Sequence, residues 1–333
     1  MRKQFLLPLL LIGFMCAPVF AAKKDVSGVV SNVIGTAQIQ RGSAGAWANA
    51  KIGDFVYDGD SVKTLPRSRA LISFSNGVEA RLHANTLFSV VPKGAGKKAE
   101  GSTIKMNIGR LWAKVLRQKT KFDIKTPVAT ISVRGTEYET GVGEKGNTTV
   151  KVFDGEVEVG NEYGNKKLKK GQMNSTNPGN PPGDAKDMGE GDKDNWQDEV
   201  KSAGSVKIEL KKQEAMVNEV VEGKVSVYDS QGKLKTDFSK EIKISCDSAD
   251  VTFSKSGEEK WAASLSVAPD KGEVSFKVKT TAGGTKNISA SGEGLGAGMA
   301  SLSVKLPEKK TLKIKIMDAE GKQKELQLKF VPK

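Results

Sequence analysis

The side chains able to do acid–base, nucleophilic or metal chemistry are few and scattered. The chain has one histidine, His83, in EARLHANTLF, and two cysteines, Cys16 and Cys246. A zinc centre needs several His or Cys ligands, and a Ser-His-Asp arrangement cannot be assembled from spacing alone. The acidic run Asp184, Asp187, Asp192, Asp194 and Asp198 invites calcium. The loop spacing fails, because Trp196 and Gln197 stand where an oxygen ligand and an obligatory glycine belong. No phosphate-binding loop is present. These residues predict no enzyme, no metal site and no cofactor. Cys246, in EIKISCDS, reads as a small apolar residue on a strand.

One stretch remains as a candidate for recognition, TPVATISVRGTEYET from Thr126 to Thr140. Val128, Ile131 and Val133 are apolar, and Arg134 and Gly135 then interrupt the run. Arg134 carries five donors and a permanent charge, so it either points to solvent or finds carboxylate or carbonyl partners inside. Gly135 fits a bulge or a positive-φ corner, and Thr136 can bond the backbone there. The two main readings are a structural clamp and a ligand contact.

Positioning such a corner is the work of strands. From about Val26 to Gly171 short alternating segments follow one another, among them RALISF, TIKMNIGRLWAKVL, VATISV and TTVKVF, separated by turns such as YDGD, SNG and EKGN. Gly35, Gly109 and Gly155 each open a strand with apolar residues two and four positions on. Their unequal spacing fits an irregular β-roll rather than a regular repeat. The segment 172–204 is rich in Pro, Gly and Asp and reads as a flexible linker. It ends in a short helix with Trp196, Val200 and Ala203 on one face, capped by Asp194 or Asn195 and stopped by Gly204. The segment 205–306 holds seven or eight strands, the density of a β-sandwich. The segment 307–333 reads as an amphipathic hairpin, marginal alone, that docks on a neighbour or pairs with a sheet edge. The expected fold class is all-β: an irregular β-solenoid or roll at 22–171, a sandwich, and a C-terminal β-hairpin.

The first 21 residues have the form of a secretory signal: Arg2 and Lys3, an apolar core from Phe5 to Met15, and Val19 and Ala21 before the cleavage point. Phe14 and Met15 ahead of Cys16 argue against lipidation. The full-length charge is +14, and loss of Arg2 and Lys3 leaves +12. The segment 22–171 carries 25 basic and 14 acidic side chains, while 172–204 carries 3 and 7. Arg110, Lys114, Arg117, Lys119 and Lys121 form a candidate basic surface. A basic protein outside the cytoplasm points to anionic envelope polymers or lipid headgroups, or simply to a well-solvated surface. Nucleic acid is not expected, because no dense basic helix or stacking array is present. No second long apolar run predicts a transmembrane helix in the mature chain.

Read in order, GTAQIQRG, GDFVYDGDSVKTLPRSRALISFSNGVEARLHANTLFSV, GRLWAKV, FDIKTPVATISVRGTEYET and TTVKVFDGEVEVG closely resemble the FecR domain family. The motifs that carry the likeness are Gly59-Asp60, the Thr126-Pro127 to Arg134-Gly135-Thr136 core, and Asp154-Gly155. The resemblance implies an all-β, solenoid-like roll that works by protein contact or signal relay, in the periplasm or at the cell surface. Regulators of this kind place a cytoplasmic anti-sigma segment and a membrane helix ahead of the domain. Here a signal peptide stands in their place, so direct sigma-factor control is not expected. The block 205–306 resembles bacterial Ig-like domains of the invasin and intimin kind, in VSVYDSQGKLK and GEVSFKVKTTAGGTKNISAS, which implies a spacer or adhesive module. The expectation is a non-enzymatic exported protein that binds an envelope protein or an anionic cell-wall or surface polysaccharide. The alternative is an accessory subunit of an envelope signalling pathway.

Overall fold

The structure, a computed structural model, describes residues 25–92, 101–115, 121–307, 310–317 and 323–330. The signal sequence, Arg117, Lys119 and the side chain of Arg134 lie outside the described residues.

The alternating segments become strands because every second side chain is apolar and needs a shared core. Two layers result. In the first, neighbours run β4 (Phe55–Tyr57), β1 (Val26–Ile34), β6 (Arg69–Phe74), β7 (Val78–Leu82), the second half of β9 (Gly101–Val115), β12 (Glu137–Val142), β13 (Thr148–Asp154), β16 (Gln172–Thr176) and β17 (Lys186–Asp187). In the second they run β3 (Trp47–Asn49), β2 (Ala37–Gln40), β5 (Ser61–Thr64), β8 (Leu87–Val90), the first half of β9, β10 (Lys121–Lys125), β11 (Thr130–Arg134), β14 (Glu156–Asn161) and β15 (Gly164–Lys169). The chain passes repeatedly from one layer to the other, and β9 belongs to both. Phe74 of the first layer meets Phe122 of the second edge-on at 5.4 Å, within one apolar cluster drawn from both layers.

The crossings explain the glycines. Gly35, Gly109, Gly135 and Gly155 all have positive φ, and each stands where the chain changes layer. Gly109 is the tightest: φ is +104°, and a Cβ there would lie 2.4 Å from the Cα of Thr86. Position 109 therefore rejects a side chain twice, by conformation and by contact.

The segment 172–204 departs from its expected character as a flexible linker. Met173 to Thr176 pair with β13, and Lys186 and Asp187 extend the layer. Backbone pairing to an already ordered edge outweighs the local preference of a Pro- and Gly-rich sequence. The expected helix is a single 3-10 turn, Trp196–Val200, with Asn195 left-handed ahead of it and no side-chain cap. Trp196, Gln197 and Val200 are buried.

Residues 204–305 form two five-stranded sheets around a second core. One orders β22 (Val251–Lys255), β24 (Glu273–Thr280), β20 (Val221–Asp229), β18 (Gly204–Leu210) and β26 (Leu295–Gly296). The other orders β19 (Glu214–Met216), β27 (Gly298–Lys305), β25 (Gly284–Ser291), β21 (Ile242–Cys246) and β23 (Ser264–Val267). Cys246 is half-buried beside this core, its thiol donating to Asp247 at 3.3 Å. The roll meets this unit through Val26, Val29 and Phe55, packed against Ala297 and Met299. The amide of Ala297 donates to Ser31 Oγ at 3.1 Å. Strands β28 (Lys310–Met317) and β29 (Gln323–Phe330) form a separate two-stranded sheet. Of the two expected arrangements, docking on a neighbour or pairing with a sheet edge, the second is not seen among the described residues, where β28 and β29 pair only with each other.

Two glycine substitutions separate close approach from backbone conformation. Gly109→Ala should cost about 3 kcal/mol or more, because strain and contact coincide. Gly171→Ala, at φ +84° with nothing within 4 Å, should cost only about 1 kcal/mol. Equal losses in chemical denaturation would show that the close approach at Thr86 is not what fixes the crossing.

Candidate functional site

The family motifs hold the fold. Asp60, fully buried, accepts from Arg41 Nη1 at 2.6 Å, from the Tyr57 amide at 3.0 Å and from the Gly42 amide at 3.1 Å. The preceding Gly59 supplies the positive φ of that turn. Thr126 Oγ1 accepts from the Ala129 amide at 3.0 Å and from the Thr148 hydroxyl at 2.8 Å. Gly135 is the corner between β11 and β12, with φ +64°. Thr136 Oγ1 donates to the Glu156 carbonyl at 2.9 Å and ties that corner to β14. A Cβ on Gly155 would come within 3.2 Å of Thr136, and exposed Asp154 pairs with Lys170 at 3.1 Å. Pro127 is exposed.

The described members of the candidate basic surface, Arg110, Lys114 and Lys121, are all ion-paired. Lys114 pairs with Glu137 at 3.4 Å and Lys121 with Asp123 at 3.2 Å. Arg110 is committed to two carboxylates: both oxygens of Glu139, at 2.9 and 3.0 Å, and both oxygens of Asp194, at 2.7 and 2.8 Å. The sequence count gave the net charge correctly but could not see that Asp194, 84 positions away, folds back onto Arg110.

That return makes a clasp on the outer face of the first layer. Glu139 sits on β12 with its side chain turned away from the apolar core, yet it is only 4% exposed. The Trp196 indole N–H donates to Glu139 Oε2, and Lys151 approaches Oε1 at 3.9 Å. The His83 ring meets Trp196 edge-on at 4.9 Å. Lys151 Nζ donates to the Asp192 carbonyl at 2.7 Å. Further along, Arg81 lies over the Trp112 ring at 4.0 Å and pairs with Glu79 at 3.2 Å, and Ser202 donates to Glu79 at 3.3 Å. Sequence reading placed Trp196 on one face of a short helix but missed Glu139, its partner. A carboxylate within an alternating strand looks solvent-facing until something covers it.

The electrostatics follow from this packing. Burial opposes the Arg110 charge, but hydrogen bonds to Asp194 and Glu139 outweigh it and raise its pKa. The Arg110 hydrogen bond holds the Asp194 carboxyl below the usual range. Burial, reinforced by Arg69 and Arg110, lowers the His83 pKa. A groove of about 470 Å³ beside the clasp is lined by His83, Arg110, Glu139, Asn147 and Lys151. Arg110, Glu139 and Lys151 in it are already paired with one another or with Asp194, and Glu144 also lines it. Among the described residues no group of three or more His, Cys, Asp or Glu is placed to hold a metal ion. Among them, too, no helix is long and apolar enough to cross a membrane.

The outer face of the second layer differs. Its strands alternate buried Val62, Phe88, Ile104, Ile124 and Ile131 with outward polar residues. Lys105 and Lys125 lie side by side on parallel strands and are exposed. Neither forms an ion pair among the described residues. Lys63 Nζ lies 4.1 Å above the ring of half-exposed Trp47. These residues were missed because each occupies the polar half of an alternating strand, where a lysine is usually only solvated.

The family model described as FecR protein matches residues 60–158, within the roll. Two crystal structures of a protein described as an anti-sigma factor from Parabacteroides distasonis ATCC 8503 are similar at 18% identity and TM-score 0.34. The match covers 38% of this chain and 59% of theirs, so the chain spans little more than half of their length. A glycosyl hydrolase family 2 member from Bacteroides cellulosilyticus is similar at 13% identity and TM-score 0.26, over 49% of this chain and 23% of the other. Likenesses at these scores decide neither fold nor activity. No curated protein matches the chain.

Two predictions concern the clasp. Glu139→Ala removes the acceptor that Arg110 and Trp196 share and should destabilise the roll by about 3 kcal/mol, in the range for breaking a buried pair. It should also open 188–203 to limited proteolysis; unchanged protection would mean that the segment is held without Glu139. The second concerns pH. His83 is the chain's one histidine, and its folded-state pKa is lowered. On acidification the unfolded chain binds a proton first, so stability should fall as the pH drops through about 6.5 toward the folded value. Melting temperature should therefore decline from about pH 7 to about pH 5, and His83→Gln should flatten that decline. Identical profiles for the two proteins would remove His83 as its origin.

Proposed function

We propose that this chain is a non-enzymatic, exported envelope protein that binds another envelope component through its roll. The observation that carries the proposal is the contrast between the two outer faces of the roll. The first is covered by the chain's own Trp196 segment, with its charges paired. The second is open, polar and basic. The match of residues 60–158 to the FecR family supports a role in contact and envelope signalling rather than turnover. The unit at 204–305 then serves as an Ig-like spacer fixed to the roll at Val29 and Phe55, and the signal-like first 21 residues support a mature chain in the periplasm or at the cell surface. A second reading, a docking subunit that relays an envelope signal, draws on the same family match.

The test is cosedimentation of the purified mature chain with washed, insoluble envelope material. We expect pelleting at low salt that weakens as ionic strength rises, because exposed lysines are screened beyond about 10 Å at 0.1 M. A chain that never pellets, but crosslinks in intact cells to a soluble envelope protein, would overturn the binding reading in favour of the relay.

A further inference from the structure

The open face of the roll has an internal order that charge alone does not require. The register places Gln40, Ser61, Ser89, Lys105, Lys125 and Thr130 in one file, one residue per strand from β2 to β11. Trp47 continues the file at one end, opposite Gln40. Gly160 continues it at the other, opposite Thr130. The file crosses eight strands, roughly 34 Å at the spacing of neighbouring strands.

Both ends carry an aromatic ring. At the β3 end Lys63 lies over Trp47. Beyond Thr130 and Gly160 lies a hollow of about 360 Å³, lined by Lys125, Thr130, Asn161, Glu162 and Tyr163, with the Tyr163 hydroxyl bonded to Glu162. Tyr163 is 54% exposed. Thr126 and Pro127, from the family motif, form part of the same hollow. In the middle, the lysines at 105 and 125 face each other across parallel strands, and neither meets a carboxylate among the described residues. Like charges held directly opposite are unfavourable, and an anion bound across both relieves the repulsion.

We propose that this file binds an extended acidic polysaccharide of the uronate class, running across the strands. The inference rests on the envelope-binding reading above and names its ligand chemistry. Aromatic rings offer flat apolar faces to sugar rings, hydroxyl and amide side chains match sugar hydroxyls, and the paired lysines meet carboxylates. The strand spacing is close to the length of one sugar unit in an extended chain. A folded protein partner fits less well, because protein interfaces concentrate their energy in central, well-packed apolar anchors. Here the centre of the face is polar and both aromatics are peripheral.

The experiment uses the mature chain and four probes: polygalacturonate, alginate, neutral dextran and inorganic polyphosphate. Binding is measured by titration calorimetry at low salt. Polygalacturonate or alginate should bind at least tenfold more tightly than dextran. The double variant Lys105→Gln/Lys125→Gln should lose at least tenfold of that affinity, while Lys233→Gln, on the distant unit, should lose none. Trp47→Ala and Tyr163→Ala should weaken uronate binding at least threefold and leave polyphosphate binding unchanged. Melting curves establish that each variant is folded. Failure of both uronates to bind the unaltered chain overturns the proposal. So does uronate binding that is indifferent to Trp47 and Tyr163, which is charge attraction only. Envelope pelleting that survives the double lysine substitution overturns the assignment of this face and leaves the envelope-binding reading standing. An unaltered chain that does not pellet overturns that reading itself.

Discussion

Glu139 is a carboxylate on the outside of a sheet that is nonetheless removed from water, and much of the molecule is arranged around that fact. A buried carboxylate is costly unless every lone pair has a donor. Here the donors come from Arg110 on the adjacent strand and from Trp196, 57 positions away in the chain. Satisfying Glu139 therefore requires the acidic segment after the roll to fold back. That return brings Asp194 onto Arg110 and Ser202 onto Glu79, and it delivers the chain at Gly204 to the start of the second unit. The two cores are joined by a short, pinned path, with direct packing at Val29, Phe55, Ala297 and Met299.

The same arrangement divides the roll into two unlike faces. The outer face of the first layer is spent on holding the molecule together, and its arginines and carboxylates neutralise one another. The second layer has no such cover among the described residues, and there its Lys105 and Lys125 form no ion pair, although Lys121 pairs with Asp123. Net positive charge alone says nothing about this division. A basic total is compatible with a uniformly solvated surface, whereas what the fold produces is one closed face and one open face on a common apolar core.

Much of the fold was legible in the sequence because strand periodicity is local. The alternation in RALISF or TTVKVF fixes which side chains enter the core whatever the partner strand is. The glycines were equally legible: Gly109, Gly135 and Gly155 break alternating runs, and positive φ at a layer crossing is what such a break implies. Thr136 bonds backbone at its corner, which a short polar side chain next to glycine is suited to do; the buried role of Asp60 was not read from the sequence.

Partnership across long separations was decided only by the tertiary structure. The sequence determined an all-β chain, its strand-by-strand faces, its glycine corners and its uneven charge. It could not determine that a Pro- and Gly-rich stretch would pair with β13, since edge-strand hydrogen bonds depend on an edge being presented nearby. Nor could it determine that Arg110 would be consumed by Glu139 and Asp194 while Lys105 and Lys125 form no ion pair among the described residues, since a lysine on a polar strand position looks the same in either case. Ion pairing depends on distances of a few ångströms between residues that are far apart in the chain, and only the packed fold sets those distances.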